Sequence, residues 1–296
     1  MKMSRRKIID ILCSSWMLAC LSFVLLIPLI MLLGLVLKSL PILESQSVSD
    51  LFFNSMWSPT EGNYGFATFI ISSCMVTALS FIFAGPICLL SAIYLTQYAQ
   101  KRLLILMQPV IDILAGIPSV VYGVWGILVI VPMISQYISP LFGVQSSGYS
   151  ILAGGVVLAV MSIPFILSLI IEVFNNIPLE LKEASLSVGA TRWETIKFVI
   201  LPKGFSGIMA AFGLGVSKAF GETIAVLMVV GNVSQIPTDL FSAGYPLPAL
   251  IANNYGEMMS IPQYESVLML AALILFMIVI IFNFFARLAV FHSEVS

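Results

Sequence analysis

Long stretches of this chain carry neither acid nor base: residues 11–37, 62–100, 113–171 and 266–286 contain no Asp, Glu, Lys or Arg. A helix crosses the hydrocarbon of a bilayer with about 20 apolar residues, so several crossings fit. The pattern predicts six spans, at 14–37, 68–95, 103–132, 150–174, 205–230 and 266–291. The fifth is interrupted by charge and is placed by its apolar flanks. The runs are continuous, without the alternation that a membrane β-barrel needs. Isolated strands are excluded because lipid cannot satisfy their backbone polar groups. The predicted fold class is therefore all-α: a polytopic membrane protein with an N-terminal segment at 1–13, a six-span domain over 14–291 and a short tail at 292–296.

Between the fourth and fifth spans the pattern changes. Residues 175–204 are polar and carry helix signals at both ends of two short segments. Asn176 is placed to cap, and Pro178 suits an early helical position. A first helix is expected to about Val188, with Gly189 as the left-handed residue that ends it. Thr191-Arg192-Trp193-Glu194 has the form of a capping box. A second helix then begins at Arg192 and is expected to stop before Pro202. Such a hairpin is either a docking element for a soluble partner or a helix pair resting on the membrane surface.

Composition agrees with the membrane assignment. The chain is 60% hydrophobic and 9% charged, against about 25% charged in soluble domains. A net charge of -1 gives no basic surface for nucleic acid. The basic residues are distributed unequally. Lys2, Arg5, Arg6, Lys7, Lys101, Arg102, Lys182, Arg192, Lys197, Lys203 and Arg287 fall on one side of a six-span arrangement, whereas the alternate loops at 38–67, 133–149 and 231–265 contain only Lys38. That asymmetry predicts that both termini and the 175–204 hairpin are cytoplasmic. The first apolar run is too long for the core of a cleaved signal peptide and is kept as a span. The outer segments at 41–66 and 231–265 are rich in proline and aromatic residues. Trp57 and Tyr64 are candidate interface anchors, and the 231–265 segment is either a functional loop or a passive connector.

Candidate chemistry is sparse. Cys13, Cys20, Cys74 and Cys88 lack metal-ligand spacing and are read as apolar packing residues. The single histidine, His292, lies in the tail, so no metal or catalytic site is expected. Three ionisable residues fall within predicted spans: Asp112, Lys218 and Glu222. Charges there are costly, by at least about 2.5–3.5 kcal/mol on insertion scales, and normally face a partner or a water-filled path. Lys218 and Glu222 are four residues apart, so a helix would present them on one face for direct pairing. They are read as a translocation path or as a structural ion pair. Asp112 lies near the start of the third span, where Gly116 and Pro118 are expected to bend the helix.

The hairpin also carries a resemblance. Glu183-Ala184-Ser185, Gly189 and a terminal Leu201-Pro202 resemble the EAA loop of ABC-importer permeases, with Ser185 in place of the usual second Ala. Trp57-Ser58-Pro59, the stretch Leu114 to Gly123, the stretch Gly189 to Glu194 and the stretch Gly221 to Asn232 resemble the permeases of bacterial high-affinity phosphate importers, over about residues 57–285. This resemblance implies a type I importer fold in the bacterial inner membrane. It implies that Glu183, Ala184 and Gly189 couple to an ATPase and that Lys218 and Glu222 belong to the translocation machinery. Phosphate permeases usually carry Arg at the Lys218 position. The implied partners are a second related permease, two ATPase subunits and an extracytoplasmic phosphate-binding protein. ATP and Mg are expected on the ATPase and no cofactor in this chain, which lacks a Gly-Lys dipeptide and so any phosphate-binding loop. A permease for sulfate or molybdate, an ion-gradient-driven carrier and a purely structural membrane subunit are the alternatives.

Overall fold

A computed structural model describes residues 5–256 and 262–295. Its elements are α1 (Arg5–Ser45), α2 (Val48–Phe53), a small hairpin of β1 (Trp57–Ser58) and β2 (Asn63–Tyr64), α3 (Ala67–Tyr98), α4 (Lys101–Gly116), α5 (Ser119–Leu141), α6 (Ile151–Asn175), α7 (Leu179–Ser187), α8 (Arg192–Phe220), α9 (Ile224–Leu227), α10 (Leu247–Asn254) and α11 (Pro262–Val295). Among the described residues six helices are long and apolar enough to cross a bilayer: Ile9–Ser45, Ala67–Tyr98, Ser119–Leu141, Ile151–Asn175, Arg192–Phe220 and Gln263–Leu288. The all-α, six-span reading holds, while two of its boundaries move.

The third span was expected at 103–132, bent at Gly116 and Pro118. Instead the chain breaks there. Ile117 precedes proline and adopts an extended conformation (φ -65, ψ 129), because the proline ring disfavours the helical region in the residue before it. The apolar helix begins only at Ser119, and α4 is a separate amphipathic helix that packs on α6 through Leu104, Met107 and Ile111. The fifth span, expected at 205–230, ends as a helix at Phe220.

Proline elsewhere does not stop a helix. Pro132, Pro140 and Pro202 each follow a wide π-turn, at Gly126–Ile130, Ile134–Ile138 and Ile196–Ile200. A helical proline leaves the carbonyl four residues back without a donor and presses its ring on it. Those carbonyls belong to Leu128, Gln136 and Phe198, each inside a π-turn, where the widened backbone makes room. The second hairpin helix therefore does not stop before Pro202: it continues through it as α8.

The centre of the molecule is the α3–α6 pair, joined by α8. Gly155 of α6 lies so close to Leu79 of α3 that a Cβ there would stand 2.6 Å from Leu79 Cδ2. One end of the bundle is closed by the 221–256 segment, which satisfies backbone groups that a helix leaves unpaired. Ser150, Ile151 and Leu152 at the start of α6 donate to Val229, Ser242 and Leu240 carbonyls, and Tyr245 and Leu247 donate to Ser72 and Ser73 Oγ on α3. The segment is thus a built cap rather than a passive connector; residues 257–261 of the 231–265 loop lie outside the described residues. Trp57 and Tyr64, expected as interface anchors, join an aromatic cluster in this cap. Trp57 packs on Phe69 and Tyr264 at centroid distances of 4.8 and 6.3 Å. Burial there raises the Tyr64 phenol above its ordinary pKa.

Helix α1 stands apart. None of its most apolar window is buried, and its packing is mainly against α11. The one ion pair among the described residues, Lys38–Glu265 at 3.0 Å, ties α1 to α11. Both side chains are partly exposed, so the pair contributes little stability. Of the cysteines, Cys88 is buried in the core, whereas Cys13, Cys20 and Cys74 lie on exposed faces. His292 has no described side chain.

Candidate functional site: a projecting hairpin and a broken span

The hairpin lies at the end of the bundle opposite the aromatic cap. Helix α7 begins after Pro178, whose backbone is extended, and Asn176 instead closes α6. The helix ends as the sequence predicts. Gly189 has φ +88; its N–H donates to Leu186 O and the Ala190 N–H to Ser185 O. These two bonds form a Schellman motif, which requires a left-handed residue at the glycine. The capping box is complete: Glu194 N–H donates to Thr191 Oγ1, and Thr191 N–H donates to Glu194 Oε2 at 2.8 Å. Ser185 hydrogen-bonds Thr195 Oγ1 at 3.0 Å and so clips α7 to α8. Lys182 Nζ donates to Gln97 Oε1 at 3.1 Å, fixing the hairpin to the end of α3.

Glu183, Ala184 and Gly189 are all exposed on the hairpin. So are apolar side chains: Leu179 is 62% exposed, Val188 85% and Trp193 52%. Exposed apolar residues mixed with polar ones on a projecting element suit a protein partner or the membrane surface.

The second feature is the interruption of the fifth span. Helix α8 runs toward the cap, with Gly204 against Phe174 and Gly215 against Ile166 of α6. Lys218 Nζ sits 4.3 Å from the centroid of the Phe165 ring, near the middle of α6. The helix then stops. Glu222 lies beyond its end and accepts from the Ala225 N–H at 3.4 Å, so its carboxylate supports the start of α9. Helix α9 packs on α5, where Gly123 meets Ala225 and Met228. The first turn of α5, just after the break at Ile117, thus lies beside the α8–α9 break.

Lys218 and Glu222 are close in the chain but form no ion pair. Direct pairing was expected from their spacing on one helix, but the helix ends between them. Lys218 is exposed and its only described contact of charge is with the Phe165 face, a modest cation–π attraction. Two hydroxyls with no hydrogen-bond partner, Ser162 Oγ and Ser217 Oγ, are buried on the helices that meet here. Unmet polar groups of this kind call for a role. An exposed cation with no counterion among the described residues, beside a broken backbone, can offer transient contacts to an anion. The arrangement provides no nucleophile–base pair and, among the described residues, no group able to hold a metal.

Asp112 is not part of this arrangement. It is exposed on α4, outside the six apolar spans. The sequence placed it in the membrane because the break at Ile117 was read as a bend. Ser162 was missed, since a serine within an apolar run carries no distinguishing signal.

Comparison with known proteins agrees with this architecture. Residues 85–293 match the model of the family described as binding-protein-dependent transport system inner membrane component. The chain is 36% identical over 260 residues to the phosphate transport system permease protein PstC of Xylella fastidiosa (strain Temecula1), covering 83% of this chain and 79% of that protein. It is 35% identical over 280 residues to a probable phosphate transport system permease protein PstC of Methanocaldococcus jannaschii, covering 88% and 87%. In three dimensions it is similar to a chain of the inward-facing MetNI methionine ABC transporter, with a TM-score of 0.56 at 20% identity, covering 82% of this chain and 99% of that one. The likeness in structure concerns the fold; the extent of the sequence matches makes this chain a member of the binding-protein-dependent transport system inner membrane components.

Proposed function

We propose that this chain is one permease of an ATP-driven phosphate importer, forming half of the translocation path in the bacterial inner membrane. The observation that carries the reading is Lys218, a cation with no counterion among the described residues, beside the break between α8 and α9. Phosphate follows from the names of the relatives, which cover most of the chain. The chain acts with a second related permease, two ATPase subunits that hold ATP and Mg, and an extracytoplasmic phosphate-binding protein. Both termini and the hairpin face the cytoplasm, as the basic residues favour.

The geometry supports a direct coupling route. Helix α8 starts at the capping box and runs unbroken through Pro202 to the Lys218 turn, about 40 Å at the helical rise of ~1.5 Å per residue. An ATPase seated on Glu183, Ala184 and Gly189 therefore pushes on the same rod that bears the intramembrane cation. Rotation of α8 about its π-turn reorients Lys218 between the two sides.

The test is reconstitution of the complex in proteoliposomes with its binding protein. ATP-dependent uptake of radiolabelled phosphate, with sulfate and molybdate as competitors, is the measurement. Uptake of phosphate that neither competitor suppresses is expected. Uptake of sulfate or molybdate in its place would reassign the substrate, and uptake driven by an ion gradient without ATP would remove the importer reading.

A further inference from the structure

Helices α8 and α11 cross at Gly213 and Ala286, where a Cβ on the glycine would collide with the alanine methyl. Beside the crossing opens a cleft of about 400 Å³ lined by Ala210, Leu214, Asn283, Ala286 and Arg287. A water molecule occupies about 30 Å³ in the liquid, so the cleft has room for an oxyanion with part of its hydration shell. Arg287 is exposed within it and has no acidic partner among the described residues. Asn283 is held in place by its amide, which donates to Val279 O at 2.9 Å.

The position of Arg287 is unusual for an interfacial anchor. Gly204 packs on Phe174 and Ile177 at the hairpin end of α6. Gly213, opposite Ala286, lies about 14 Å further along the α8 axis toward the cap. Helix α11 itself continues past Arg287 to Val295, beginning with Leu288-Ala289-Val290-Phe291. Arg287 thus lies near the hairpin-side end of the apolar span Gln263–Leu288, inward of the end of α6, and an unpaired charge there needs a function or a partner.

Its neighbours connect it to the first site. Ala210, Leu214 and Lys218 fall four residues apart and form one stripe on α8. The stripe buried against α6 is a different one, made by Ile208, Ala211, Gly215 and Ala219. The Lys218 stripe is open, with Leu214 48% exposed. Leu214 and Ala210 lie about 6 and 12 Å below Lys218 along the helix. Lys218 thus stands at the top of an open α8 stripe whose lower residues, Leu214 and Ala210, line the cleft that holds Arg287 of α11.

Resting on the phosphate-import reading, we propose that Arg287 is a second anion station on the path, receiving phosphate from Lys218 on its way to the hairpin side. A single cation in the membrane centre attracts an anion and then retains it. Conduction needs sites weak and numerous enough for the ion to leave. The planar fork of Arg287 grips two oxygens of a phosphate, which offsets the loss of the Lys218 contact step by step.

The experiment uses the reconstituted complex with Arg287→Gln, Arg287→Lys and Ala210→Leu at matched membrane abundance. Arg287→Gln should lower the maximal rate of phosphate uptake about tenfold or more, the scale of one lost charge-assisted hydrogen bond. The phosphate concentration giving half-maximal uptake should stay unchanged, because capture takes place on the binding protein. Arg287→Lys should retain most of the rate, and Ala210→Leu should slow uptake by filling the cleft with Arg287 intact. If wild type imports phosphate but Arg287→Gln and Ala210→Leu keep its rate, the second station is refuted and the importer reading stands. Should Arg287→Gln fail to assemble, an unaffected Ala210→Leu complex refutes it alone. Wild type that imports no phosphate would instead defeat the reading on which the station rests.

Discussion

Lys218 and Glu222 show how one residue of backbone geometry changes the meaning of a spacing. Four residues apart on a helix, they would neutralise each other. The helix ends at Phe220, so Glu222 turns to the Ala225 N–H and leaves Lys218 over the Phe165 ring. Lys218→Gln should therefore cut phosphate uptake about tenfold or more, the consequence of losing a contact worth about 1.5–3 kcal/mol. Lys218→Arg should retain substantial uptake, since it keeps the charge and adds a fork for the oxyanion. Combining Lys218→Gln with Glu222→Gln separates path from scaffold. Uptake near wild type in that double variant, at matched abundance, would show that the lysine only balances the glutamate. The charges were legible in the sequence because ionisable residues within apolar runs stand out. Their lack of pairing was not, since it depends on where a helix ends among Gly221, Glu222 and Thr223. Asp112 falls on α4 and not in the third span for a similar reason, the break before Pro118. Ser185 is the converse case: a departure from the family's alanine that the structure explains by its bond to Thr195.

At the scale of elements, local chemistry predicted the hairpin well. Both the glycine corner and the capping box are formed by residues adjacent in sequence, so no distant packing is needed to specify them. Gly189 has open space around its Cβ position, and only its left-handed backbone demands glycine. Gly189→Val should cost about 1–2 kcal/mol of local strain and distort the surface offered to the ATPase. Co-purification of the ATPase should fall, or hydrolysis should continue without uptake, while the permease still inserts. Normal association and normal uptake in that variant would remove the coupling role. Proline was the misleading signal. At Pro202 the π-turn lets the helix pass, whereas at Pro118 the chain breaks. The difference lies in whether the preceding turn can widen: Gly116-Ile117 leaves the helix before the proline, and Ile196–Ile200 stays within it.

For the whole molecule, the distribution of basic residues and the architecture agree. Lys182 and Lys101 lie at the end that bears the hairpin, and the capped end holds Trp57, Tyr245 and Tyr264. Orientation can be tested by thiol labelling in a background lacking native cysteines. Gln235→Cys, exposed in the cap segment, should react with an impermeant reagent added to intact cells. Ser187→Cys on the hairpin should react only after permeabilisation. Reversed labelling would invert the proposed topology. The six spans were legible because hydrocarbon imposes length and apolarity on any crossing helix. The order of packing was not, because the apolarity of a span does not say which other helix it touches. Helix α1 makes this consequential. With no buried residue in its apolar window, that stretch is constrained by solubility in lipid more than by close packing within the chain. Its sequence is therefore free to drift among apolar residues, while α6 is held by contacts such as Gly155 with Leu79. A saturation scan should find positions 9–31, all exposed, indifferent to which apolar residue they carry, unless a partner subunit reads that surface. Intolerance confined to one stripe of α1 would trace the partner's footprint.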